Sequence, residues 1–140
     1  MKYDDASWHY GADNFPKELP LVSGAIHTGM FVAWGLLSGL AGEIHEPQLI
    51  EQLKRRSNTP GQFFLDDCDG KFTDEDLNDE GNAFAAAYFD FETGEYLKDY
   101  EQILAAEAPT LYHVADTWEN FDLLKPVLDR RFAEWRSKQT

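Results

Sequence analysis

The chain lacks most of the features that identify an activity. It has one cysteine in 140 residues, Cys68, which excludes an internal disulfide framework and fits a reducing compartment. The flanking Asp67 and Asp69 disfavour a thiolate, so we do not expect Cys68 to be a nucleophile. The chain has no His-x-x-x-His or Cys-x-x-Cys spacing for zinc, no glycine-rich phosphate loop and no Gly-x-Ser-x-Gly elbow. It therefore carries no signature of a zinc site, of nucleotide chemistry or of a hydrolase.

Basic residues and long apolar runs are also scarce. There are 12 Lys and Arg against 26 Asp and Glu, for a net charge of −14, so nucleic-acid phosphates would be repelled. The most apolar stretch, 24–42, contains five glycines and His27, which favours a buried core helix over a membrane span. The first 20 residues lack a basic start and an apolar run, so we expect no secretory signal and a cytoplasmic address.

Core-forming residues are plentiful despite the charge. Hydrophobic residues make up 43% of the chain and aromatic residues 14%, which is too rich for an acidic disordered chain. The length fits one globular domain over residues 1–140. Residues 1–21 mix aromatic side chains with Pro16 and Pro20, which predicts an ordered arm without a regular helix, packed on that domain.

The hydrophobic spacing predicts an all-α bundle of five to six helices around a central apolar helix, with room for a minor β-ribbon. Start and stop signals place the first three helices at 24–42 with Ser23 as N-cap, at 46–56 with Pro47 in the first turn, and in a short segment after Pro60. The next helices are expected from Thr73 to Gly94, at 95–106 and at 117–136, where Pro126 should kink or divide the last one. Leu111–Val114 is a candidate strand without an evident partner.

Acidic residues are concentrated in the middle of the chain. Residues 66–101 hold thirteen of the 26 carboxylates and only two lysines, so this segment carries −11 of the net −14. Such a segment predicts an acidic face that selects a basic partner, although a merely solvated face has the same pattern. The side chains expected on this face are Asp66, Asp67, Asp69, Asp74, Glu75, Asp76, Asp79 and Glu80.

The same acidic segment contains Asp-x-Asp-Gly, which suggests a calcium loop. Aligning Gly70 with the turn glycine of an EF-hand puts Leu65 at the first ligand position and Asp76 at the twelfth. That loop needs an oxygen ligand first and a bidentate Glu last, so we predict an ordinary turn and a capped helix here.

Histidine and tryptophan residues offer an alternative site. A ligand pocket could be assembled from Trp8, His9, His27, Trp34, His113 and Trp118. A metal or catalytic site could be assembled across the fold from His9, His27, His113 and Asp116. Histidines placed singly beside aromatic residues are more often structural, so we predict no catalytic residue, no metal ligand and no cofactor.

Four segments carry a resemblance that extends over nearly the whole chain: 7–11 (SWHYG), 27–34 (HTGMFVAW), 73–84 (TDEDLNDEGNAF) and 112–121 (YHVADTWENF). Taken together they resemble a family of small uncharacterised acidic bacterial proteins. At the level of class, such proteins are similar to the immunity partners of secreted bacterial toxins. The resemblance implies a binding role and transfers no catalytic residue.

These observations favour a non-enzymatic intracellular binding protein, most concretely an immunity protein that neutralises a basic toxin domain through the acidic face. Two alternatives stay open. One is a small enzyme or a ligand- or metal-binding module that uses the aromatic and histidine pocket. The other is a structural or adaptor subunit that self-associates through the helix bearing Gly35 and Gly39. We expect neither nucleic acid nor a membrane as partner.

Overall fold

The structure, a computed structural model, describes residues 1–139. Within that range the α-helices are α1 (Ala6–Tyr10), α2 (Ile26–Leu37), α3 (Pro47–Lys54), α4 (Pro60–Asp67), α5 (Asp79–Tyr88), α6 (Tyr96–Leu104) and α7 (Trp118–Ser137). Strands β1 (Lys2–Asp5) and β2 (Lys71–Thr73) form one antiparallel sheet, and short 3-10 turns cover Leu21–Gly24, Asp74–Asp76 and Leu111–His113. The predicted helical fold with a minor β-ribbon is confirmed, with seven helices in place of five to six.

Helix α2 is the centre of the fold. Every residue from Ile26 to Leu36 is buried, as expected for a helix that is apolar on all faces. Gly29 lets α4 approach so closely that a Cβ there would lie 2.6 Å from the carbonyl oxygen of Pro60. The prediction of a central core helix is confirmed. Within residues 1–139 no helix is both long and apolar enough to cross a membrane.

Two expectations about α2 are wrong. Ser23 does not cap it, because Ser23 lies in a 3-10 turn and the helix begins after Ala25 without a side-chain cap. A Cβ on Gly35 would lie 2.9 Å from the side chain of Leu77, so that position is covered by the chain itself. Gly39 lies beyond the end of the helix, with a φ of +82°. Gly35 and Gly39 therefore do not lie one turn apart on α2, although the sequence had indicated that they would.

Helices α3 and α4 start as predicted. Each has a proline in its first turn, where the fixed φ suits a helix and the missing N–H has no partner to lose. The hydroxyl of Thr59 caps α4 by accepting the N–H of Gln62 at 3.2 Å. Helix α4 then packs along α2 and buries Phe63 and Phe64.

The expectation of an N-terminal arm without a regular helix is wrong. The first residues form β1, which pairs with β2 in the register Lys2 with Thr73 and Asp5 with Lys71. The carboxylate of Asp5 then caps α1. The arm is thus tied to the domain by backbone hydrogen bonds as well as by its aromatic side chains.

The helix predicted from Thr73 to Gly94 is shorter and starts later. Thr73 caps a 3-10 turn in a capping box with Asp76. Leu77 is extended and buried, which interrupts the helical run, and α5 starts afresh with Asn78 as its N-cap. Packing of Leu77 into the core therefore outweighs the local tendency to continue the helix.

Two predictions near the end of the chain also change. Leu111–Val114 is not a strand, since its first three residues form a 3-10 turn. Pro126 does not divide the last helix, because α7 continues through it. Pro126 is exposed while Leu124 and Leu128 are buried, so the backbone carbonyl that loses its bond is on the solvent side.

The core is strongly aromatic. The ring of Phe31, in the middle of α2, lies within 4.9–6.2 Å of six other rings, which belong to Trp34, Phe72, Phe84, Tyr88, Phe89 and Tyr96. These rings come from α2, β2, α5 and α6 and from the residue that follows α5. The central helix thus holds the sheet and the later helices in one packed cluster.

Candidate functional site

The three tryptophans expected in one pocket lie in separate places. Trp8 is on the surface and 53% exposed. Trp34 is in the core, where its indole N–H donates to Asp129 at 2.9 Å. Trp118 donates its indole N–H to the carbonyl oxygen of Asn58 at 2.8 Å. The prediction that these side chains share a pocket with the histidines is wrong.

The assembled site of three histidines and Asp116 is also wrong. His113 is the last residue of the 3-10 turn that precedes α7, and its Nδ1 lies 2.8 Å from the hydroxyl oxygen of Thr110. Asp116 serves the start of α4, where it accepts the N–H of Gly61 at 2.8 Å. Both residues have local structural roles. The remaining two members, the histidines of α1 and α2, do come together.

A cluster of polar side chains joins β1, α1 and α2, and we call Asp4, His9 and His27 the N-terminal cluster. The Nε2–H of His9 donates to Asp4 Oδ1 at 2.8 Å, and the two imidazole rings are 4.5 Å apart in an edge-to-face arrangement. Thr28 donates its hydroxyl to Asp4 Oδ2. Nδ1 of His9 lies 2.9 Å from the hydroxyl oxygen of Tyr112. Asp4 is fully buried in this network.

His27 is the member of the N-terminal cluster with the fewest contacts. Its side chain is 1% exposed, and burial, followed by the nearby His9, lowers its pKa to about 3, so the imidazole is neutral. Nε2 lies 3.8 Å from Asp4 Oδ2, beyond hydrogen-bond distance. Nδ1 is buried without a hydrogen-bond partner in the described part of the chain. A buried imidazole in this state is unusual, because buried polar groups are nearly always paired.

A second group, the Cys68 cluster, consists of His45, Cys68 and Asp76, whose ligand atoms lie within 4.8 Å of one another. Nε2–H of His45 donates to Asp76 Oδ1 at 2.8 Å, and the N–H of Thr73 donates to the other carboxylate oxygen. Burial, with the charges of Asp76 and Asp67, raises the pKa of the Cys68 thiol well above its usual range. The thiol is therefore protonated and unsuited to nucleophilic attack.

The eight carboxylates predicted for the acidic face do not all belong to it. Asp76 is 3% exposed and hydrogen-bonded inside the fold, so its inclusion is wrong. Asp69 and Asp74 are exposed, but they pair with Lys71 and with the N-terminal amino group. Glu80 accepts two N–H groups of Arg136. These four side chains already have partners within the chain.

The other four predicted carboxylates border one continuous acidic surface. Three adjoining depressions of about 240, 360 and 400 Å³ share Leu49, Gln52 and Asp67 at one junction and Ile44 at the next. We call this surface the acidic groove. Its carboxylates are Glu43, Glu46, Asp66, Asp67, Glu75 and Asp79. Within residues 1–139 none of the six forms an ion pair, and neither Lys nor Arg lines the groove.

An apolar side chain lies in the middle of the acidic groove. Ile44 is 55% exposed and lies between the two depressions that contain Glu43 and Glu46. Burial raises the pKa of Asp67, and the neighbouring Asp66 adds to this effect. The groove can accept cationic groups around an apolar contact.

The sequence did not indicate several residues of the N-terminal cluster and of the acidic groove. Asp4 and Tyr112 complete the surroundings of His9, yet no spacing in the chain links them. Glu43, Glu46 and Ile44 belong to the groove but precede the acidic segment that indicated it. Their sequence signal was weak, because two acids beside one isoleucine are common on any surface.

Comparisons with known proteins identify a family but no individual relative. Neither a curated protein nor a solved structure matches the chain. A family profile described as a domain of unknown function, DUF7832, matches residues 2–114. The matched part includes β1 through the turn at Leu111–His113, and with it both clusters and the acidic groove. The chain therefore belongs to the DUF7832 family.

Proposed function

We propose that this chain is a non-enzymatic binding protein whose acidic groove takes the basic surface of a protein partner. We propose further that the partner is a toxin domain, which makes the chain an immunity protein. The observation that supports the binding role is the set of six groove carboxylates without an ion pair in the described chain, five of which line the two depressions that contain exposed Ile44. The toxin assignment rests on the likeness of small acidic proteins of this class to immunity proteins.

Charge and an apolar anchor have different parts in such a complex. Carboxylates that lack internal counter-ions attract Lys and Arg on the approaching protein, which raises the association rate. The folded chain keeps these charges close together at a cost of mutual repulsion, and a cationic partner relieves that repulsion. Ile44 and the partly buried Leu49 supply apolar area that is buried on docking, which slows dissociation.

A basic enzyme such as a nuclease is the kind of toxin that this surface suits. Its substrate-binding surface presents Lys and Arg to nucleic-acid phosphates. The carboxylates of the groove would occupy the positions of phosphates and block access of the substrate. Inhibition then requires no chemistry from the chain itself.

The test starts from the gene directly upstream. Under this proposal it encodes a large secreted protein with a basic C-terminal domain that is toxic when expressed alone. Association of that domain with the chain, followed by stopped-flow fluorescence, should slow about tenfold or more between low and physiological ionic strength. Replacing four groove acids, Glu46→Gln, Asp67→Asn, Glu75→Gln and Asp79→Asn, should slow it about tenfold at low salt.

A matched control removes the same charge elsewhere. The variant with Glu92→Gln, Glu101→Gln, Glu107→Gln and Glu119→Gln changes four exposed carboxylates outside the groove. It should bind nearly as fast as the unchanged chain. Equal slowing by the two variants would mean that only net charge matters and that the groove is not the docking site. Cells that survive the toxin domain without this chain would remove the immunity assignment.

The apolar anchor has a separate readout. Ile44→Ala should raise the dissociation rate about tenfold while leaving the association rate nearly unchanged, because it removes buried area but no charge. An unchanged dissociation rate would place the apolar contact elsewhere.

A further inference from the structure

We propose that Asp4, His9 and His27 bind one divalent transition-metal ion, and that zinc is the ion best suited to them. This site is separate from the acidic groove and does not depend on the partner. It joins the first strand, the first helix and the central helix through a single ion.

The donor set and its spacing fit zinc. Two imidazole nitrogens and one carboxylate oxygen lie within 4.8 Å of one another, and three protein ligands of these types are typical of zinc sites with an open position. Ligand atoms around tetrahedral zinc are about 3.4 Å apart. The distance from Asp4 Oδ2 to His9 Nε2 is 2.9 Å and to His27 Nε2 is 3.8 Å. Shifts of about half an ångström would bring both distances to the zinc value.

The state of His27 points to a missing ligand. A structural role for a buried histidine normally includes hydrogen bonds at its ring nitrogens. Here Nδ1 has no partner among the described residues, and Nε2 faces Asp4 across a gap too long for a hydrogen bond. Burial keeps the imidazole neutral, which is the form that binds metals. A metal at Nε2 would fill the gap to Asp4, while the proton of the neutral ring would stay on Nδ1, which the ion does not reach.

The neighbours of the cluster are those that a metal site needs. Tyr112 contacts Nδ1 of His9 and can fix the ring with Nε2 towards the ion. Thr28 donates to Asp4 and holds the carboxylate in place. By contrast, the Cys68 cluster has only one histidine, and burial raises the pKa of its thiol, which disfavours the thiolate that binds metals. The N-terminal cluster is therefore the better candidate.

Calorimetric titration of the chelator-treated chain with Zn²⁺ tests the proposal. We expect one equivalent to bind as Nε2 of His9 exchanges its hydrogen bond with Asp4 for the metal and the ring proton moves to Nδ1, beside the hydroxyl of Tyr112. His9→Gln should weaken binding at least tenfold. Tyr112→Phe, which keeps the ring and removes the hydroxyl, should weaken it about tenfold to a hundredfold. His113→Gln and Cys68→Ser are controls outside the cluster and should bind as the unchanged chain does.

Cobalt distinguishes the two clusters by colour. Co²⁺ bound to Asp4, His9 and His27 should give visible d–d bands without a thiolate-to-cobalt charge-transfer band in the near ultraviolet. A charge-transfer band that disappears in Cys68→Ser would place the ion on the Cys68 cluster and overturn the proposal. So would weak binding of several ions unaffected by His9→Gln, as expected for exposed carboxylates alone. Because His27→Gln changes a fully buried side chain, His9→Gln and Tyr112→Phe decide the outcome.

Discussion

Two carboxylates in one turn, Asp74 and Asp76, have opposite surroundings. Asp74 is exposed and pairs with the N-terminal amino group at 3.2 Å. Asp76 is 3% exposed and accepts the Nε2–H of His45 and the backbone N–H of Thr73, both at 2.8 Å. The same residue type is thus a surface charge at one position and part of the internal hydrogen-bond network two residues later.

Asp76→Ala should therefore lower the free energy of unfolding by about 3 kcal/mol, because it leaves two buried donors without an acceptor. Asp74→Ala should lower it by less than about 1 kcal/mol, since exposed pairs contribute little. Urea unfolding followed by tryptophan fluorescence measures both. Asp76→Asn, which keeps an oxygen acceptor, should fall between them. Equal effects of the two alanine variants would contradict the assigned role of Asp76.

At this scale the sequence predicted residue types better than their surroundings. The concentration of acids correctly indicated exposed carboxylates such as Glu75 and Asp79. It could not indicate that Asp76 points inward, because the direction of that side chain depends on how the next residue, Leu77, packs into the core. Nor could it link Asp4 to His27, since the contact depends on how β1 lies across α2 and local patterns carry no such information.

At the scale of elements, the contact between α2 and α4 depends on a glycine. Both Gly29 and Gly35 lie in α2, yet they face different neighbours. A Cβ on Gly29 would lie 2.6 Å from the backbone oxygen of Pro60, whereas one on Gly35 would lie 2.9 Å from the end of the Leu77 side chain. The backbone oxygen cannot move without moving α4, while a leucine methyl can rotate away.

Gly29→Ala should therefore destabilise the chain by about 2 kcal/mol, since the overpacking outweighs the gain of up to about 1 kcal/mol in helix propensity. Gly35→Ala should leave stability unchanged or raise it by up to about 1 kcal/mol. The two midpoints of urea unfolding, followed by far-ultraviolet circular dichroism, give the comparison. Destabilisation by Gly35→Ala as large as that by Gly29→Ala would contradict the account of this contact.

Elements with local signals were predictable, and those that depend on distant pairing were not. Pro47 and Pro60 marked the starts of α3 and α4, and periodic apolar residues marked α6 and α7. Strands β1 and β2 have four and three residues, too few to show alternation, and they meet only in the folded chain. Leu111–Val114 has strand-forming residues but no neighbouring strand to pair with, and a 3-10 turn forms instead.

At the scale of the whole molecule, excess negative charge opposes folding. The net charge is −14, and the six groove carboxylates have no internal counter-ions in the described chain. Pairs such as Arg131 with Asp99 and Arg136 with Glu80 attach α7 to α6 and α5 but neutralise few of the acids. Self-repulsion should therefore dominate over ion pairing in the dependence of stability on salt.

The melting temperature should rise as NaCl is increased from about 0.02 M to about 0.5 M, because salt screens repulsion among the carboxylates. In the variant with four groove acids changed to amides, the melting temperature at low salt should be higher and its rise with salt smaller. Calorimetry or thermal circular dichroism provides the measurement. A melting temperature that falls with salt would show that attractive pairs outweigh repulsion.

The pairing of β1 with β2 also affects the order in which the chain can fold during translation. The opening strand leaves the ribosome well before Lys71–Thr73, its partner, and Tyr112 emerges later still. Until then the nascent chain carries an unpaired strand edge. Asp4 also lacks the full set of neighbours that surrounds it in the folded chain. Strand β1 thus reaches its native place only after Lys71–Thr73 has been synthesised.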